Sequence, residues 1–90
     1  MKLNLNKIKE LYGETVKNEI NEERELVENN LEFLYQLGFR NLDDIFYNYS
    51  IAFLQNKQKF QNKVLMLCKK IGDDYLNVLT NNIDLWEFVI

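Results

Sequence analysis

The chain has 90 residues, a net charge of −3, 47% apolar and 13% aromatic residues, no proline and only three glycines. A chain this short holds one domain, its apolar share is enough for one core and too rich for disorder, and the missing proline and scarce glycine favour helices joined by short turns over sheets. The longest uncharged run, Ile45 to Asn56, is 12 residues and carries polar side chains, so no segment reads as a membrane span, and the start lacks the apolar run of a signal peptide.

In chain order, Asn4 or Asn6 caps a first short helix over residues 6–12. A long helix follows from near Gly13 to Leu37, where Gly38 stands at the left-handed stop position and Phe39 is placed to fold back on Leu34. At about 100° per residue, Val16, Ile20, Val27, Leu31, Phe33, Leu34 and Leu37 share one arc, while Glu14, Glu25, Glu28 and Glu32 lie opposite as an acidic ridge. Glu23 and Asn30 interrupt the apolar stripe, which marks a kink or short break between Asn21 and Glu25. Asn41 then caps a helix from Leu42 to about Tyr49, with Asp43 and Asp44 set against its dipole. Asn56 caps another from Lys57 to Ile71, stopped by Gly72, with Phe60, Val64, Leu67 and Ile71 as its buried stripe. Asp73 opens a helix to about Asn81, and a last turn or two runs from Ile83 onward. The expected fold is all-α: a single domain over residues 1–90, built as a small helical bundle or short α-solenoid of five to six helices.

The turns fall in register at a spacing of 34: Leu3, Leu37 and Ile71 coincide, as do Ile8, Leu42 and Leu76, and Leu11, Ile45 and Leu79. A period of this size is the mark of stacked helical units, with an irregular bundle of evenly spaced turns as the alternative.

Chemistry-bearing residues are scarce. There is no histidine, which removes the commonest general base and metal ligand, and the only cysteine is Cys68, which lies near the apolar stripe of its helix. One cysteine also allows no internal disulfide, which fits a reducing, cytoplasmic setting. The doublets Glu22-Glu23, Asp43-Asp44 and Asp73-Asp74 read as helix starts or solvated surface, and no glycine-rich phosphate loop occurs. The expectation is a protein without catalytic, metal or cofactor sites.

Charge is distributed in blocks: six Lys/Arg against ten Asp/Glu up to Asp44, five lysines and no acid from Ile45 to Gly72, then four acids and no base. Either oppositely charged helices lie side by side, or Lys57, Lys59, Lys63, Lys69 and Lys70 form a basic strip for an anionic partner. Phe46, Tyr47, Tyr49 and Phe53, just before that strip, read as filling of a helix junction, with base stacking as the rival reading. The segment Leu85 to Ile90 is apolar at five of its six positions, so Trp86 and Phe88 should be covered by the chain itself, by a second copy or by a partner.

The run from Leu31 through Leu37-Gly38-Phe39, then Asn41-Leu42-Asp43-Asp44-Ile45 and Ile51-Ala52-Phe53-Leu54, resembles the repeat unit of the mitochondrial transcription termination factor family. The resemblance covers most of the chain from about Leu26 and implies a helical solenoid that binds nucleic acid through a positively charged concave face. The proline which that family usually carries near Ser50 or Ile51 is absent here. The 34-residue spacing is also similar to the tetratricopeptide repeat, without its small residues and proline at the expected offsets.

Two functions follow as expectations. The first is a non-enzymatic adaptor or inhibitor that meets a protein partner through Glu14, Glu25, Glu28 and Glu32 or through Trp86 and Phe88, with a homo-oligomer through the C-terminal segment as a variant. Its small size and heavy Asn, Lys and Ile usage fit a phage or mobile element. The second is a nucleic-acid binder using the five lysines between residues 57 and 70.

Overall fold

A computed structural model describes residues 2–90, and they form an all-α bundle. Six α-helices and two 3-10 helices follow one another: α1 (Leu5–Tyr12), α2 (Glu14–Glu22), α3 (Arg24–Leu37), α4 (Leu42–Asn48), η1 (Ser50–Leu54), α5 (Lys57–Ile71), α6 (Tyr75–Asn81) and η2 (Ile83–Val89). Among the described residues there is no strand, and no helix is long and apolar enough to cross a membrane.

Caps set several of the boundaries. Asn4 Oδ1 accepts the Lys7 N–H at 3.1 Å, and Asn56 Oδ1 accepts those of Gln58 and Lys59 at 2.9 and 3.3 Å, each satisfying amides that the helix itself leaves unpaired. Gly38 takes φ 111°, a region closed to most side chains, and this turns the chain so that the Phe39 N–H donates to Leu34 O at 3.2 Å. Phe39 is thereby sunk in the core, edge-on to Trp86 at 5.1 Å between centroids.

One boundary falls where the sequence expects a break, and another departs from expectation. The long helix is split at Glu23, whose ψ of 29° lies outside helical geometry, although Glu23 N–H still donates to Glu19 O and Glu23 O accepts from Val27, so the ladder is barely interrupted. Asn41 precedes α4 but makes no capping bond, because its backbone, at φ −86° and ψ 46°, does not adopt the extended geometry of a cap; its Oδ1 is buried without a protein partner.

The polar interruption of the α3 stripe has a structural role. Asn30 is fully buried, and its Nδ2 donates to Phe53 O at 3.0 Å and Gln55 O at 3.3 Å, carbonyls that the short η1 leaves without a helical partner. Gln55 Nε2 in turn donates to Ala52 O at 3.0 Å and Val89 O at 2.6 Å, so one amide chain ties α3 to η1 and η1 to η2.

At the other end, Tyr47 of α4 holds α1. Its hydroxyl accepts the Asn4 N–H at 3.1 Å, its carbonyl accepts the Tyr12 hydroxyl at 2.7 Å, and Lys7 Nζ stands 4.3 Å above its ring.

The element order recurs. A long helix, a seven-residue helix and a 3-10 helix occur as α3, α4, η1 and again as α5, α6, η2, with the last residues of the long helices, Leu37 and Ile71, 34 positions apart. The long helices α3 and α5 pack against each other, and each packs on the 3-10 helix of its own unit. The two glycine stops are not alike, since Gly72 has ψ −158° rather than the left-handed ψ of −2° at Gly38.

Candidate functional site

The C-terminal segment docks on its own chain. A 3-10 helix turns every three residues, so Ile83, Trp86 and Val89 fall on one face of η2 and point inward, and the Trp86 Nε1–H donates to Leu79 O at 3.2 Å. Trp86 is 1% exposed, which removes it from the set of contact residues expected on the surface. Phe88, on the opposite face of η2, is 71% exposed, and Ile90 beside it is exposed as well.

Phe88 is one wall of a groove. Met66 and Leu67 of α5 form the facing wall, Lys63 and Lys70 stand at its ends, and the space between encloses about 280 Å³. On α5, Lys59, Lys63, Met66 and Lys70 follow at intervals of four, three and four residues, which places them on one stripe beside the buried face. Lys63 is half-buried along its length and its exposed Nζ donates to Ile90 O at 3.0 Å, at the edge of the groove. Lys57, Lys59, Lys69 and Lys70 are exposed, and among the described residues none of the five lysines of α5 pairs with an acid. The basic α5 does lie beside the acidic α3 and beside η2, as one reading of the block charges expects, but without an ion pair among the described residues.

The acidic ridge survives in part. Glu25, Glu28 and Glu32 are exposed on α3, and the last two border a hollow with Leu31, Tyr35 and Leu42. Glu14 does not extend this ridge: the break at Glu23 puts it on a separate helix, and it is engaged by Lys9 and Lys17, each at 3.1 Å. The hydrogen bond from Lys9, then that from Lys17 and the charge of both, hold its carboxyl below the ordinary carboxylate range.

Other candidates resolve into structure. Cys68 is buried, and burial pushes its thiol pKa up, away from the thiolate that a nucleophile needs. Phe46 and Phe53 are buried 5.2 Å apart, while Tyr47 and Tyr49 are half-buried, so the aromatic cluster fills the junction between helices. The three acidic doublets are exposed. No group of three or more Cys, Asp or Glu side chains converges among the described residues.

Comparison with family models, with curated proteins and with solved structures finds no match.

The sequence pointed to Phe88 and to the lysines but missed Met66, a single residue off the buried stripe of its helix. The signal was its place on the lysine stripe: 61% exposed, it lies one turn from both Lys63 and Lys70.

Proposed function

We propose that this chain is a non-catalytic protein-binding module, an adaptor or inhibitor, whose docking face is the groove between α5 and η2. The observation that carries this reading is the exposed pair Met66 and Phe88 facing each other across an apolar groove with a lysine at each end. Isolated apolar side chains on a surface are ordinary, but an apolar cleft with a charged rim has the anatomy of a protein interface, where a buried anchor supplies affinity and rim charges select the partner. Compared with the hollow beside the acidic ridge, this groove is lined mainly by apolar surface, which suits an apolar anchor.

The test is affinity capture with the wild type beside Phe88→Asp. A partner retained by the first and lost by the second, with equal melting temperatures, supports the reading; a partner indifferent to Phe88→Asp moves the docking face elsewhere.

A nucleic-acid-binding reading has its own support in the unpaired lysines of α5, the exposed Phe88 as a stacking platform and the recurrence of a long helix, a short helix and a 3-10 helix. It requires binding of random oligonucleotides that falls steeply with salt, since each neutralised phosphate releases counterions. No shift in a low-salt polarisation titration at tens of micromolar protein (~10–100 µM, where non-specific binders begin to register) sinks it.

A further inference from the structure

The groove between α5 and η2 carries one sign of charge along one wall. Lys63 and Lys70 stand at its ends, Lys59 continues the stripe by one turn, and α5 holds no acid to neutralise them. Lys63 Nζ commits one of its three donors to Ile90 O, which leaves two for an incoming carboxylate, and Lys70 forms no ion pair among the described residues. The remaining lining is apolar: Met66 lies between the two lysines, three residues from one and four from the other, with Leu67 beside it and Phe88 facing it.

Shape and charge together narrow the occupant. The enclosed space of about 280 Å³ falls below the ~300–1,000 Å³ usual for small-molecule sites and suits an inserted side chain. A broad anionic surface, a bilayer or a duplex, laid across Phe88 also meets Asp84 and Glu87, which are exposed on a neighbouring face of the same short helix. A narrow partner lying along α5 avoids them. Lys63 and Lys70, seven residues apart, are separated by about 10.5 Å along the α5 axis. A partner helix matches that spacing with acids seven residues apart and sets an apolar residue between them on the same face. An extended strand, whose side chains alternate, needs about 13 Å to place two acids around a central residue on one face.

We propose that this groove docks an acidic amphipathic helix of a partner protein, with an apolar anchor seated between Met66 and Phe88 and a carboxylate on each side of it, one at Lys63 and one at Lys70. The proposal rests on the groove being the docking face and names what fills it. Because the chain as a whole carries a net charge of −3, an acidic helix is repelled by most of the molecule and accepted at this patch, so charge selects the face as well as the partner.

The test is fluorescence polarisation of a labelled helical peptide with glutamates seven residues apart, leucine between them on the same face and alanine and glutamine elsewhere, titrated with protein up to about 1 mM. Binding should weaken about tenfold or more when both glutamates become glutamine, when the leucine becomes alanine, and when salt is raised to about 0.5 M. Lys63→Glu with Lys70→Glu should abolish binding of this peptide and create binding of its counterpart with lysines in place of the glutamates, a gain that a folding defect cannot produce. No binding at about 1 mM, equal binding of a scrambled peptide of the same composition, or tighter binding of random oligonucleotides or phosphatidylserine vesicles overturns the proposal. A captured partner that is lost on Phe88→Asp but indifferent to Lys63→Glu with Lys70→Glu removes the acidic helix and keeps the docking face, whereas peptide and partner both indifferent to Phe88→Asp remove the face itself.

Discussion

At the scale of residues, Asn30 does the most with one side chain. A leucine or alanine there would complete the apolar stripe of α3, yet the Asn30 amide is the partner of two carbonyls at the end of η1. Asn30→Ala strands those carbonyls, which costs about 1–3 kcal/mol and should lower the melting temperature by roughly 5–15 °C. Asn30→Asp is the sharper probe, because it points a carboxylate at two carbonyl oxygens in a buried site. Such a carboxyl titrates above its unfolded value, so its penalty is largest at neutral pH and shrinks as pH falls through the folded-state pKa. Melts from about pH 7 to 5 should show Asn30→Asp recovering relative to Asn30→Ala, and parallel curves for the two would contradict this.

At the scale of elements, the contrast between Trp86 and Phe88 separates stability from recognition. Trp86→Ala removes a fully buried indole and its bond to Leu79 O, a loss of about 3–5 kcal/mol from a domain whose whole stability is on the order of 5–10 kcal/mol. Phe88→Ala should change stability by no more than about 0.5 kcal/mol, since the ring is mostly in solvent. Denaturant titrations of the two read this directly, and equal losses would mean that η2 sits differently. The same segment shows where sequence reasoning stopped. Gly38 and Asn56 announced their helix ends, because left-handed backbone and amide capping have dedicated residue types. The break at Glu23 had no such marker and appeared only as a flaw in the stripe. Which of Trp86 and Phe88 faces inward depends on a helix of three residues per turn, whereas the apolar run Leu85 to Ile90 has no period to betray it. The groove was legible as its separate parts, the lysines and Phe88, but not as a place, because η2 meets α5 only through the tertiary fold.

For the whole molecule, the division of labour follows the two recurring units and the α1–α2 pair that precedes them. The pair packs mainly on itself; α2 also meets α3 and η1, Ile8 and Ile20 are fully buried in the shared core, and Tyr47 supplies the polar ties of α1. Helix α1, which packs chiefly on α2, opens at lower cost than the central helices, because local opening costs only the contacts that it breaks. Amide protons of α1 should therefore exchange with solvent through an event of lower free energy than those of α3 and α5. Tyr47→Ala, which removes the ring under Lys7 and the hydroxyl at Asn4, should speed exchange in α1 selectively and expose the stretch around Gly13 to proteases, with α5 amides slowed as before. Uniform acceleration across the chain would instead make the bundle a single cooperative unit. On the expected outcome, residues 5–12 lead a partly independent life: a hinged flap on a fixed body, released by the loss of one phenol.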